Sequence, residues 1–355
     1  MKKPVAFFFL LIVILFASAQ TNKVLFLGNS YTYVNNLPEL VSMMMSSSGE
    51  DFSYQMNAPG GCTFQQHCTV SSSYIQQGGW DYVVLQEQSQ LPSFPEDQFM
   101  QESYPYAESL CSMIRDYNPD AKIVFYMTWG RKNGDQQNCP YYPPLCTYQG
   151  MDSLLNLRYM MMAEYNYAWV SPVGAVWHYI RTNYPDLELY QSDESHPSYL
   201  GSFVAACCFY TVLTGHNPRD ITWDGSLDET TASIAKYATK TVVFDSLWKW
   251  TFDNDTATND STAINEFALS DSRVSLFPNP AKTTIHVAIP EKMDVSSISI
   301  ADMEGNIVYS HSDVSLLKEY QNSFDIDVSF LKAGNYILSI YFNSNRTTKV
   351  FTIVH

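Results

Sequence analysis

The chain has 355 residues, 20 Lys and Arg against 36 Asp and Glu, a formal charge of -16 and an isoelectric point near 4.7. That acidity argues against a nucleic-acid binder, because affinity for the phosphate backbone comes from Lys and Arg. With 15% aromatic and only 16% charged residues the chain is not wholly disordered, and its length allows about two domains with a buried core.

At the start of the chain, Lys2 and Lys3 precede an apolar run from Val5 to Phe16 and then Ala17-Ser18-Ala19. This is the layout of a secretory signal, expected over 1–19 with cleavage near Ala19. The run is shorter than the roughly 20 apolar residues of a spanning helix, and a retained anchor is the alternative. No later segment is long and apolar enough to cross a bilayer, so the mature protein is expected to be exported and to carry no transmembrane segment.

From Lys23 to about Trp250, short apolar runs alternate with longer helical patterns. The runs at Val24–Leu27, Phe52–Met56, Tyr82–Leu85, Ile123–Tyr126 and Trp169–Val170 read as strands. Pro38–Ser47, Glu96–Tyr117, Asp152–Tyr165 and Ser198–Leu213 read as helices. Near-continuous apolar strands separated by helices imply an α/β unit, a parallel sheet covered on both faces. Such sheets carry their ligand sites at the carboxyl ends of the strands.

The polar stretch Asn254–Thr262 has the composition of a linker, expected over 251–271. Beyond it, over 272–355, the alternation in Thr284–Ile289 and Tyr336–Tyr341 suggests a small all-β sandwich. The seven cysteines suit an oxidising compartment, and the odd count leaves at least one unpaired. Cys139 and Cys146 bracket a stiff loop that a disulfide would close, and Cys62 with Cys68 is a second candidate pair. Cys111, Cys207 and Cys208 lie in apolar helical patterns as small hydrophobes. The seven His are scattered without ligand spacing, so neither metal nor cofactor is expected.

Two short segments carry chemistry. The first strand ends in Gly28-Asn29-Ser30-Tyr31-Thr32, which sets a serine hydroxyl at a strand end where backbone N–H groups can meet an oxyanion. An ordinary turn would also use Gly, Asn and Ser. Later comes Ser192-Asp193-Glu194-Ser195-His196-Pro197, ahead of a helix. An Asp three residues before a His can hold one imidazole nitrogen and leave the other to face a serine, although Asp193 or Ser195 could merely cap the helix. Neither GxGxxG, GxxxxGK[ST] nor GxSxG occurs, which excludes phosphate loops and the nucleophile elbow.

These residues resemble the SGNH, or GDSL-like, hydrolases over roughly Lys23 to Trp250. The resemblance implies a three-layer, doubly wound parallel sheet of flavodoxin-like kind and ester hydrolysis. It implies Ser30 as nucleophile, His196 as general base and Asp193 as the residue that orients it. Asn29 stands where the family has Asp. In the second block, Ala58–Thr63, Gly61 rather than Gly60 is expected to offer an oxyanion N–H beside that of Ser30.

The third block departs from the family's Gly-x-Asn-Asp. Here Leu85 is followed by Gln86-Glu87-Gln88-Ser89-Gln90, and a Gln amide can donate to an oxyanion as Asn does. Counting without gaps favours Gln90 and the Gln-Gly-Glu pattern of sugar acetylesterases favours Gln86, with Gln88 between them. Gln86 and Gln88 are the expected oxyanion donors of this block.

Trp129, Arg131, Tyr141 and Tyr142 are placed at the rim of the site as substrate-binding residues, since aromatic faces suit sugar rings; packing in core and loop is the competing reading. An acylated carbohydrate, most readily an O-acetyl ester, is the expected substrate. The alternatives are an inactive carbohydrate-binding protein on the same fold, and a lipase or thioesterase of the family.

The tail, through Leu276–Ala281, Asp302–Asn306 and Leu331–Tyr336, resembles a type IX secretion sorting domain of Bacteroidota. That resemblance implies the outer-membrane secretion machinery as a partner and a secreted or cell-surface location. An accessory, sugar-binding sandwich is the alternative. Asp255-Thr256-Ala257 and Asp260-Ser261-Thr262 resemble the O-glycosylation sites of that phylum.

Overall fold

The computed structural model describes residues 22–251, 274–288, 295–302, 307–311, 318–320, 323–342 and 345–354. The expected signal, the linker and its glycosylation tripeptides lie outside the described residues. So does most of Asp302–Asn306.

Five parallel strands, β1 Asn22–Leu27, β2 Phe52–Asn57, β3 Tyr82–Leu85, β4 Lys122–Tyr126 and β5 Trp169–Ser171, form one sheet in the order β2-β1-β3-β4-β5. The chain leaves β1 to one side for β2 and returns on the other side as β3, so strand order reverses beside β1. In doubly wound sheets that reversal opens a crevice at the carboxyl ends of the strands.

Alternation along each strand divides the side chains between two apolar layers. Val24, Phe26, Val84, Val124 and Tyr126 pack under α2 Leu37–Ser47, α8 Val173–Asn183, α9 Tyr199–Thr214 and α10 Glu229–Val242. Leu25, Leu27, Val83, Leu85, Ile123, Phe125 and Val170 pack under α3 Phe64–Val70, α4 Ser72–Gln76, α5 Glu96–Glu102, α6 Tyr104–Tyr117 and α7 Tyr148–Tyr165. Between β1 and α2 lies α1, a single turn at Ser30–Tyr33. Helix α9 is buried from Leu200 to Leu213, as expected of a helix apolar on every side.

The sequence suggests one helix over Glu96–Tyr117, and the structure has two. The break falls at Ser103 (φ -127, ψ -55), just ahead of Pro105 in the first turn of α6. Proline has no N–H to continue a helix, and its ring opposes one more turn on its amino side. The Ser103 hydroxyl is turned inward onto Glu87. Helices α3, α4, α8 and α10 are additions to the expected set.

Cys139 and Cys146 form a disulfide. Cys62 and Cys68 do not pair: the Cys62 thiol faces the Thr63 carbonyl and the Cys68 thiol the Tyr106 carbonyl. Cys111, Cys207 and Cys208 are buried thiols.

The tail is all β. Antiparallel sheets of order β10-β11-β7-β6 and β13-β12-β8-β9 are built from β6 Ser275–Phe277, β7 Thr284–Ala288, β8 Val295–Asp302, β9 Ile307–His311, β10 Lys318–Tyr320, β11 Ser323–Asp327, β12 Gly334–Phe342 and β13 Asn345–Ile353. Ile285, Val287, Phe324 and Ile326 of the first meet Ile298, Ile300, Leu338, Ile340, Phe351 and Ile353 of the second in a dry core, the packing of a sandwich. No helix among the described residues is long and apolar enough to cross a membrane.

Candidate active site

The turn after β1 sets the site. Gly28 has no room for a side chain, because a Cβ there would stand 2.3 Å from Thr32 Oγ1 and 2.7 Å from Gln86 Oε1. Asn29 (φ -143, ψ -146) caps α1, its Oδ1 accepting from the Tyr31 N–H at 3.1 Å, and Ser30 opens the helix at the mouth of the crevice. The Asn29 Nδ2 donates to the carbonyls of Cys62 (3.1 Å) and Glu87 (3.4 Å). Two carbonyls call for a donor, which the Asn29 amide is and an ionised Asp would not be.

The turn is held from behind by His67 of α3, which is fully buried. Its Nε2 lies 2.8 Å from the Gly28 carbonyl, an acceptor only, so that nitrogen carries the proton. Nδ1 then accepts from Ser71 Oγ at 2.6 Å, and Ser71 accepts in turn from Asn57 Nδ2 at 2.9 Å. Burial lowers the His67 imidazole below its ordinary range, and the bond to Gly28 opposes that only in part.

Ser30 and His196 meet across the crevice, with His196 Nε2 2.8 Å from Ser30 Oγ. His196 Nδ1 bonds Asp193 Oδ2, while Asp193 Oδ1 accepts from the N–H groups of Ser195 (3.1 Å) and His196 (3.0 Å). Burial by itself would raise the Asp193 carboxyl, but the bonds from His196 and from these two N–H groups hold it below the usual range. The Asp therefore stays ionised beside Nδ1–H, and Nε2 is the nitrogen free to accept from the serine.

Several elements fix the Asp193–His196 loop. Tyr31, next to Ser30, lies 2.7 Å through its hydroxyl from Ser195 Oγ, and Trp129 Nε1 donates to the Ser195 carbonyl at 3.1 Å. Asn35 donates to the carbonyls of Pro197 (3.2 Å) and Ser198 (3.1 Å), and the Glu194 carbonyl accepts from the Lys132 N–H at 2.9 Å. The rings of Tyr31, Trp129 and Trp177 stack as a column, with centroids 4.7 Å and 3.7 Å apart and planes within 9°. This column backs the loop that carries His196.

Within the second block lies Gly61, whose φ of +68° favours glycine. Among the described residues, neither its N–H nor that of Ser30 donates a hydrogen bond. The third block has other duties. Gln86 is fully buried, its Oε1 accepting from the Asn29 N–H and the Thr32 hydroxyl, both at 2.9 Å, and its Nε2 donating to the Glu87 carbonyl. Gln88 folds back on its own turn, accepting from the N–H groups of Gln90 (2.8 Å) and Leu91 (3.2 Å) and donating to Gln90 Oε1 at 3.1 Å. Gln90 Nε2 donates to Asp135 at 2.6 Å. All three amides thus brace loops.

The rim residues separate as well. Trp129 is fully buried, with Tyr31 on one face and Trp177 on the other, so no face is open to a sugar ring and its placement at the rim is corrected. Arg131 pairs with buried Asp135 at 3.1 Å. Burial would raise the Asp135 carboxyl, but Asn138, Gln90 and Arg131 together hold it low. Tyr141 is 86% exposed at the tip of the disulfide loop, while Tyr142 is half-buried against the α3–α7 layer. Tyr33 was not singled out in the sequence. It is 44% exposed, with its hydroxyl 3.7 Å from the place a Gly60 Cβ would take. The sequence signal missed for Tyr31, Tyr33 and Asn35 is their nearness to Ser30 on the same turn.

Residues 275–354 match the family model of the secretion system C-terminal sorting domain. Comparison with curated proteins gives no match. Among solved structures, a DUF4886 family protein from Bacteroides uniformis superposes with a TM-score of 0.54 at 18% identity, covering 62% of this chain and 94% of its own. A candidate SGNH hydrolase from Slackia heliotrinireducens gives 0.45 at 23% identity, over 54% and 98% of the two chains. An acetylxylan esterase from Geobacillus stearothermophilus gives 0.40 at 17%, over 57% and 94%. The likeness to the first of these is one of fold.

Proposed function

We propose that the chain is an exported serine esterase that removes acyl groups, O-acetyl above all, from carbohydrate. The observation that carries this reading is the line Asp193–His196–Ser30, with 2.8 Å between imidazole and hydroxyl, at the switch point of a doubly wound sheet. Ser30 Oγ attacks the ester carbonyl while its proton passes to His196 Nε2, and Asp193 stabilises the imidazolium. The N–H groups of Ser30 and Gly61 receive the oxyanion. As the tetrahedral adduct collapses, Nε2–H protonates the departing sugar oxygen. His196 then takes a proton from water, whose oxygen attacks the acyl-enzyme and releases the acid. The His196 side chain is 31% exposed and lies open to that water.

Carbohydrate is favoured over lipid because no long apolar lid occurs in the sequence, and because Tyr33 and Tyr141 offer open rings near the crevice or on its neighbouring loop. The amino-terminal signal pattern and the sorting domain favour export to the surface through the outer-membrane secretion machinery. Acetate release from acetylated xylan, pectin and other glycans tests the substrate class. Ser30→Ala should reduce turnover of an activated acetyl ester by a factor on the order of 10⁴ or more. Unchanged turnover would sink the assignment.

A further inference from the structure

The loops around the nucleophile share one buried carboxyl that the hydrolytic steps leave unused. Glu87, just after β3, is fully buried, and no cation among the described residues offsets its charge. Its Oε1 accepts from two main-chain N–H groups, Phe64 at 2.9 Å and Gln88 at 2.7 Å, and its Oε2 lies 2.8 Å from Ser103 Oγ. These three contacts by themselves favour the anion, and what opposes them is complete burial with no cation alongside among the described residues. A serine hydroxyl can accept from the acid as readily as it can donate to the anion. An unpaired carboxylate at this depth would be costly, so the acid form fits better.

The donors place Glu87 between two loops. Phe64 opens α3 three residues after Gly61, and Gln88 begins the turn after β3. From the third loop, Asn29 Nδ2 reaches the Cys62 and Glu87 carbonyls and closes the brace. We propose that Glu87 is a positioning residue for the oxyanion site, a neutral acid that ties the Gly61–Phe64 turn to the end of β3 and so fixes the direction of the Gly61 N–H.

Burial, the largest influence, pushes the Glu87 carboxyl up to about 7, against the bonds from Gln88, Ser103 and Phe64 that favour the anion. The titratable groups facing it are Cys62 and Cys68 from the α3 side and Tyr159 from α7. None of the three is a cation. A folded-state value above the ordinary one means that Glu87's contribution to stability is complete below about pH 4.5. It is lost as pH rises through about 7.

The effect on rate rests on the esterase reading; the protonation state does not. In the full chain, Glu87→Ala should lower kcat on an activated acetyl ester on the order of 10- to 100-fold, with KM within about threefold. Glu87→Gln keeps one oxygen for the two N–H donors and an amide for Ser103. It should hold kcat within about threefold and remove Glu87's share of the fall in thermal midpoint between about pH 5 and pH 8. The Glu87 side-chain ¹³C resonance, identified by its absence in Glu87→Gln, should be that of a protonated acid at about pH 6.

An ionised carboxyl at that pH overturns the proposal whether or not the protein turns over esters. Equal kcat for an active wild type and a folded Glu87→Ala overturns the positioning role. Should Glu87→Ala fail to fold, a loss beyond about tenfold in Glu87→Gln overturns it instead. A wild type without turnover counts against the esterase reading alone, and the carboxyl resonance then decides Glu87.

Discussion

The strand-end loops of the α/β sheet and the tail sandwich treat polar side chains in opposite ways. Around Ser30, Asn29, His67, Gln86 and Glu87 are each at most 2% exposed, and every one bonds to main-chain groups of another loop. In the sandwich the core is apolar, and a pair such as His286–Asp325, at 2.6 Å across β7 and β11, sits at the surface with side chains 26% and 50% exposed. Buried polar groups are costly unless fully bonded, and once bonded they fix geometry. The sandwich rests chiefly on its alternating apolar core, whereas the site's loops are locked to one another by buried polar groups.

Substitutions can break this contrast in order of size. Loss of the Ser30 hydroxyl is expected to remove the proposed activity, and loss of the Glu87 carboxyl to cost the next largest share of kcat. Asn29→Asp should follow. A carboxylate would face the Cys62 and Glu87 carbonyls, lowering unfolding free energy by about 2 kcal/mol in a denaturant titration near neutral pH. A midpoint equal to wild type would mean that the brace contributes nothing.

Tyr31→Phe keeps the ring column and deletes only the hydroxyl that meets Ser195 Oγ. About 1 kcal/mol of support for the His196 loop should go with it, seen as a several-fold fall in kcat at nearly constant KM. A rise in KM with kcat intact would place the hydroxyl in substrate binding instead. Smallest of all, His286→Ala should leave stability within about 0.5 kcal/mol and turnover unchanged, as for an exposed pair. A larger loss would show that the tail also depends on its polar contacts.

Much of the candidate site was legible because its parts are local. Ser30 one residue past Gly28-Asn29, and His196 three residues after Asp193, are short-range patterns, and a parallel sheet brings strand ends together whatever lies between. The supports were not legible. Gln86, Gln88 and Gln90 look alike in sequence as amide donors, yet each is occupied by a different loop. Trp129 resembles a sugar platform until Tyr31 and Trp177 close over it.

The sequence by itself determined the alternation of strands and helices, the β-rich tail, the Cys139–Cys146 loop and the spacing that makes Ser30, Asp193 and His196 candidates. These follow from periodicity and spacing, which act over a few residues. Only the tertiary structure decided that Cys62 and Cys68 stay apart, that the helix expected over Glu96–Tyr117 breaks at Ser103, and that Glu87 ties the start of α3 to the turn after β3. Each of those outcomes depends on which distant surfaces meet. Burial and hydrogen-bond partnership are properties of such meetings, and a linear pattern does not contain them.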